Sequence, residues 1–546
     1  MNKDVVPWPS DLAARYRAGG LWRGQTVGAW FTERAALFAD RTAVVEGARR
    51  VTYRMLAASA ARLACSFSGL GLRPGDRVVV QLPNGVELVE VLLALFGSGL
   101  VPVLALPAHR QIELEAFCSG TGATALIVSA RQGATDLLPM AARIRRSCAA
   151  TVRHLVVHGH SGPLDPDVQP LEALYDASDE VALGILGVAS EMALLQLSGG
   201  STGIPKLVPR THDDYLYSVR ASAELCRLTP ETRYLAALPM THNFTLSSPG
   251  VLGVLHAGGC VVACSHPIPD VALRLLVSER ITITSAVPSL ARAWMDAKAR
   301  CLGECALTGL LLQIGGARLD EGLARDLLRV MGCRLQQVFG MAEGLVNYTR
   351  LDAPEEIVVT TQGKPLSLFD ELRVVDPSDS EGPPLPSGSV GELQTRGPYT
   401  IRGYLDVCHN DGAHFTRDGF YRTGDLVQIT EAGDVIVEGR LGERIVRAGE
   451  KISPEEVERH MRSHPRVRDA AIVGCSDPHL GERSHAFVVQ ADDGPPLLAE
   501  DLRGYLRNLG IADFKLPDVV HVVRDLPRTT VGKTDKVALR HSLNTL

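Results

Sequence analysis

From about residue 40 to residue 300 the chain alternates two kinds of apolar run. Short, β-branched, unbroken runs such as "DRVVVQL", "TALIVSA", "HLVVHG" and "ITITSAVP" have the length of buried strands. Between them lie longer segments with apolar residues at helical spacing, "GVELVEVLLALFGSG" and "PSLARAWMDAKAR" among them. Unbroken apolar strands are covered on both faces, and strand–helix alternation is how parallel strands are joined. The pattern therefore predicts parallel sheets covered by helices. From about 365 to 440 the helical spacing fades. "ELRVVD", "GELQTRG" and "DVIVEGR" surround the turn-rich "DPSDSEGPPLPSGSVG", which predicts a β-rich lobe. Past Arg440, "SPEEVERHMRSH" opens with Ser453 as N-cap, Pro454 at the first helical position and Glu456 at the third, a capping box. Strands "DAAIVGC" and "HAFVVQA", a helix "LAEDLRGYLRNLG" and a strand "VVHVVRDL" follow. The fold class is α/β: a large N-terminal domain over 1–440, with the β-rich lobe at about 365–440, and a small α+β C-terminal domain over 441–546. The boundary falls within "GRLGERIVRAGEK".

The 546 residues are enough for several hydrophobic cores, and 45% apolar with 22% charged is the balance of a globular protein. A net charge of −6 argues against nucleic acid or an anionic membrane as partner. The most apolar stretch, "VVVQLPNGVELVEVLLALFGSGLVPVLALP", is interrupted by Asn84, Glu87 and Glu90 and reads as strand, helix and strand rather than a membrane span. The N-terminal "MNKDVVPWPSDLAARYR" has no apolar segment of the kind a leader needs. Eleven cysteines are scattered without CxxC pairs, and "CLGEC" lacks further ligands, so a reduced, cytoplasmic protein is expected.

Only eight of the 56 basic residues are lysines, and four of the eight sit within three residues of a glycine, in "GIPK", "QGKP", "AGEK" and "VGK". Lysine is a compact point charge that meets a phosphate or carboxylate end-on, so these positions are candidates for anion binding. "QLSGGSTGIPKLVPRTH", Gln196 to His212, offers bare backbone N–H groups, hydroxyls and Lys206, which suggests a phosphate loop, though not of the Walker A pattern. "QIGGARL" adds a second glycine turn at Gly315, Gly316 and Ala317. "QQVFGMAEG" puts Glu343 just past Phe339, Gly340 and Met341. "YRTGDL" carries Asp425, and "PRTTVGKTDK" carries Lys533 near the C-terminus.

This set, in this order, resembles the adenylate-forming superfamily of acyl-CoA synthetases, luciferases and peptide-synthetase adenylation domains, from about residue 30 to the end. "PRTHDDY", "LPMTHNFTLSSPGVLG" and "FGMAEGLVNYTRLD" are similar to the stand-alone aryl-acid AMP ligases of siderophore assembly. The resemblance implies activation of salicylate or 2,3-dihydroxybenzoate by ATP with Mg²⁺, then transfer to the phosphopantetheine thiol of an aryl or peptidyl carrier protein in trans. It implies that Lys533 bridges carboxylate and α-phosphate, and that Ser198, Gly199, Gly200, Ser201, Thr202, Gly203 and Lys206 close over the outer phosphates. Glu343 and Thr202 would hold the metal, a hard ion suited to oxygen ligands. Gly315 to Ala317 would leave flat space for the adenine, Phe339, Gly340 and Met341 would belong to the nucleotide site, Asp425 would accept both ribose hydroxyls, and Arg440 would approach the ribose or phosphate. Asn243, Phe244, Ser248 and Val346 would shape the acid pocket, with Asn243 on the 2-hydroxyl and His242 at the approach to the carboxylate.

By the same resemblance the C-terminal domain is mobile, and Lys451 acts from a second face of it in the thioester step. Gly442 would be the hinge, where the superfamily usually has Asp or Lys. Phe244 stands where dihydroxybenzoate ligases often carry tyrosine, which suits salicylate, while Val346 looks like the dihydroxybenzoate pattern. An aryl-CoA ligase is the alternative. A non-catalytic acyl-adenylate-binding member would be expected to lack Lys533 or Glu343, and both are present.

Overall fold

The structure is a computed structural model. It describes residues 5–176, 187–198, 205–319, 321–406, 408, 410, 412–441, 445–491, 494–495, 497–527 and 534–543. Lys533, the hinge candidate Gly442 and the loop from Gly199 to Gly203 lie outside these residues.

Two sheets dominate the large domain. One has nine strands; its central, parallel strands are Leu311–Gly315, Ile283–Ala286, Arg233–Ala236 and Cys260–Ala263, with Arg334–Gly340 beside them. The other has seven, with Arg77–Gln81 between Val101–Leu104 and Ala125–Ser129, all parallel. The unbroken apolar runs have the expected cause: each strand buries both faces. In the strand Arg77–Gln81, Val78 and Val80 join the core between the two sheets, while Val79 joins a separate core under the outer helices Gln111–Thr121 and Leu138–Ser147. The helix Val86–Gly97 lies in the core between the sheets and buries every residue except the half-exposed Glu87. That explains its nearly all-round apolar sequence. Its one fully buried charge, Glu90, accepts a hydrogen bond from the Tyr175 hydroxyl at 2.6 Å.

The lobe expected at 365–440 is an antiparallel four-stranded sheet, Glu371–Val375, Val390–Arg396, Tyr421–Ile429 and Val435–Arg440. Beyond it, the hairpin Ile445–Ile452 joins a sheet with Val467–Asp477, Gly481–Gln490 and Val519–Val523, packed on the helices Pro454–Arg462 and Ala499–Asn508. Ser453 caps the first of these helices by accepting the Glu456 N–H at 3.4 Å, but Glu456 also sends a carboxylate oxygen to Lys515 at 2.8 Å. All eleven cysteines are free thiols. Among the described residues no helix is long and apolar enough to cross a membrane.

Candidate active site

In α/β sheets, ligands bind beyond the carboxyl ends of the parallel strands. Here a cavity of about 600 Å³ opens beyond the ends of Arg334–Gly340 and Leu311–Gly315, and is walled by the four sheets described above. The seven-stranded sheet contributes Ser198 and Lys206, which face each other at the mouth of an antiparallel hairpin. The nine-stranded sheet contributes Val338 and Val346, the lobe Thr423, and the C-terminal domain Lys451.

At one end of the cavity lies a charged cluster. Lys206 is buried, touches His414 and lies 4.7 Å from the centre of the Tyr404 ring. The Tyr404 hydroxyl donates to Glu343 Oε1 at 2.8 Å. Burial pushes the Glu343 carboxyl up, but hydrogen bonds from Ser198 and Tyr404 and the charge of Lys451 outweigh it, so the group sits below its ordinary value and is ionised. A buried, ionised carboxylate beside the hairpin end formed by Ser198 and Lys206 is the kind of hard oxygen ligand that suits Mg²⁺. Among the described residues no cluster of three or more metal-ligating side chains would hold an ion alone.

Elsewhere the wall combines the apolar Phe244, Val338 and Val346 with the polar side chains of His242, Asn243 and Ser248. The short helix Asn243–Ser247 is capped by His242, whose Nδ1 accepts the Phe244 N–H at 3.3 Å. His242 is exposed to the cavity, whose walls, with a smaller contribution from Lys451, hold its pKa below the ordinary value and favour the neutral ring. Asn243 Oδ1 accepts from the Tyr215 hydroxyl and from Ser247 Oγ, each at 3.1 Å, and Tyr215 in turn accepts from Gln196 Nε2 at 3.1 Å. Its Nδ2 has only a long contact, 3.4 Å, to Met341 O. Phe244 packs so closely on Gly315 that a Cβ there would lie 3.0 Å from the ring and 2.7 Å from Val338 O. Gly315 thus serves the wall behind Phe244, while Gly316, with φ of +82°, borders the cavity and Ala317 does not.

Gly340, Met341 and Ser248 also line the cavity; Phe339 does not. Asp425 is buried beside the lining residue Gly424 and pairs in register with Arg440. Gly449 in "RAGEK" takes φ of +87°, and a Cβ there would sit 2.5 Å from Val287, so only glycine lets the hairpin carrying Lys451 come this close. Sequence reasoning missed Tyr404, His414, Lys515 and the Gln196–Tyr215 pair. The last two stand within the quoted motifs, but nothing in the sequence joins them to Asn243.

Comparison with known proteins agrees with this geometry. The model of the AMP-binding enzyme family matches residues 31–405, and that of the AMP-binding enzyme C-terminal domain matches 456–533. The chain therefore belongs to the AMP-binding enzyme family. It is an enzyme of the AMP-ligase kind. It is 49% identical to the 2,3-dihydroxybenzoate-AMP ligase of Bacillus subtilis, covering 100% of this chain and 98% of that one. It is 44% identical to a salicylyl-CoA synthase / salicylate adenylyltransferase of a Streptomyces species, with 99% and 97% covered. Among solved structures it is similar to apo MbtA of Mycobacterium smegmatis, with a TM-score of 0.74, 40% identity and 98% of each chain covered.

Proposed function

We propose that the enzyme joins ATP to a 2-hydroxybenzoate-type acid, salicylate or 2,3-dihydroxybenzoate, and then passes the aryl group to the phosphopantetheine thiol of a carrier protein acting in trans, in siderophore or nonribosomal peptide assembly. The observation that carries this reading is Asn243. Its amide oxygen is already engaged by Tyr215 and Ser247, so it meets a ligand with N–H, inside an apolar slot between Phe244, Val338 and Val346. An apolar slot with an inward N–H suits an aromatic ring carrying an ortho oxygen. The acids named for the two relatives, 2,3-dihydroxybenzoate and salicylate, share that oxygen.

In the first half-reaction a carboxylate oxygen attacks the α-phosphorus and pyrophosphate leaves. Two anions must meet, so cations aimed at the reacting oxygens carry most of the catalysis. Lys533 fills that role in this reading, with the loop from Ser198 to Lys206 over the outer phosphates and Asp425 on the ribose. Glu343 would hold Mg²⁺, which neutralises phosphate charge when bound. In the second half-reaction the thiol sulfur attacks the acyl carbon and AMP leaves. Lys451 would assist there, and neutral His242 would line the approach.

The test is acid-dependent ATP–pyrophosphate exchange with salicylate, 2,3-dihydroxybenzoate and benzoate, followed by transfer to holo-carrier or to free coenzyme A. Exchange that is best with benzoate or with an aliphatic acid would refute the assignment. A coenzyme A ligase is the second reading, favoured by the salicylyl-CoA synthase named among the relatives; transfer to coenzyme A outpacing transfer to a carrier would establish it.

A further inference from the structure

A buried ion cluster at the cavity wall joins the two domains. Lys515, in the turn Asp513–Lys515 of the C-terminal domain, donates at 2.8 Å to Glu456 of its own domain. It also donates at 2.8 Å to Glu113, which lies 402 residues earlier on the helix Gln111–Thr121 of the large domain. The three side chains are 4%, 2% and 1% exposed, in the order Lys515, Glu456, Glu113. Glu113 is held from its own side as well, its Oε2 accepting the Arg110 N–H at 3.0 Å. Around it the contact is specific. Arg110 lies 3.8 Å from Asp513, Ile112 packs on the C-terminal core, and a Cβ on Gly510 would touch Gln111 at 3.4 Å. The strand Glu450–Ile452, which carries Lys451, packs on the same turn as Lys515.

Charges buried this deeply are costly unless paired, and such a pair adds little net stability because desolvation cancels most of the attraction. Its effect is directional: breaking it is expensive while the domains stay together, and cheap once water reaches both ends. If the C-terminal domain turns away, Lys515 keeps Glu456 as partner and Glu113 regains solvent. That is the behaviour of a reversible docking contact, and not of a residue needed for either domain to fold.

Resting on the two-step reading above, we propose that Glu113 is a positioning residue for the thioester-forming step. It seats Lys515, and through that turn the strand bearing Lys451, against the cavity, and it has no part in adenylation.

Glu113→Gln keeps the shape and removes the charge; Glu113→Lys sets like charges face to face. Transfer from preformed aryl adenylate to pantetheine is expected to fall about tenfold in the first and at least about a hundredfold in the second. Pyrophosphate exchange should be unchanged in both. A parallel fall in exchange and transfer would mean that Glu113 only supports the fold, and unchanged transfer would mean that it does not dock the domain; either overturns the proposal. A second measurement needs no substrate. Disulfide formation between Gln111→Cys and Gly510→Cys, read by peptide mapping, reports the docked state directly, and any strain at Gly510 is common to every variant compared. Slower closure with Glu113→Lys is expected. Equal rates would refute the docking role even if the acid has been misassigned, whereas slow closure without exchange on any 2-hydroxybenzoate would fault only the substrate reading.

Discussion

The Tyr215 hydroxyl donates to Asn243 Oδ1 at 3.1 Å, and both groups are buried. Burial pushes Tyr215 up to about 12, so it stays a neutral donor, and Gln196 fixes its direction by donating to it. The amide of Asn243 is thereby held with nitrogen toward the cavity. An ortho hydroxyl can accept from it, while an ortho amino group, a poor acceptor, cannot. Anthranilate and benzoate are expected to be poor in pyrophosphate exchange. Tyr215→Phe should lower kcat/KM for salicylate by about tenfold, the worth of one buried hydrogen bond, and narrow the gap to anthranilate. An unchanged ratio of salicylate to anthranilate in that variant would show that Tyr215 does not orient the amide.

Phe244 is the expected selector at the ring's 3-position. It offers no hydroxyl, and apolar walls reject an added hydroxyl by roughly 10²-fold at most. Both salicylate and 2,3-dihydroxybenzoate should be turned over, with salicylate at least as good, and Phe244→Tyr should shift preference toward the dihydroxy acid. The kcat/KM ratio of the two acids in wild type and variant checks this.

Glu343→Gln removes the ionised carboxylate while keeping an acceptor for Tyr404. Exchange should fall on the order of 10²-fold, as for other losses of aimed charge, and more Mg²⁺ should be needed to reach half-maximal rate. A variant with an unchanged Mg²⁺ requirement would remove Glu343 from the metal site.

Lys533→Ala is expected to cost exchange on the order of 10²–10³-fold, whereas Lys451→Ala should spare exchange and slow transfer. Gly442→Pro should permit adenylation and block transfer, because a fixed φ cannot absorb a domain rotation. Equal loss of exchange in the two lysine variants would contradict the use of two faces.

Two buried histidines, His109 and His212, and the half-buried His256 contribute to the acid limit of stability. Each accepts through Nδ1, from the N–H groups of Leu106 and Val27 and from the Trp30 indole respectively. Loss of solvation lowers all three to about 4 from 6.5. The unfolded chain therefore binds protons below pH 6.5 that the folded chain refuses, and stability falls as pH drops from about 6.5 toward 4. Thermal unfolding between pH 7.5 and 5 should show it, with a slope of up to about 1.4 kcal/mol per pH unit for each histidine. His212→Asn should flatten the profile; a profile flat in wild type would contradict neutral burial.

The sequence alone determined the layers. Strands buried on both faces must be apolar throughout, so "DRVVVQL" and "TALIVSA" announce parallel sheets, and the loss of that pattern after 365 announces the antiparallel lobe. Lys206, Lys451 and Glu343 were legible as candidates, because anion and metal chemistry restricts residue type, and all three line the cavity. What only the tertiary structure decided is which distant groups meet. Gln196 and Tyr215 read as loop and helix residues until the helix His212–Leu225 packs against both the hairpin and the helix Asn243–Ser247. Gly315 reads as a turn glycine until Phe244 fills the space of its missing Cβ. Lys515 carries no local sign of its partners until the fold buries it between Glu113 and Glu456. Local periodicity records which face of an element is buried, and it carries no record of the partner on the other side.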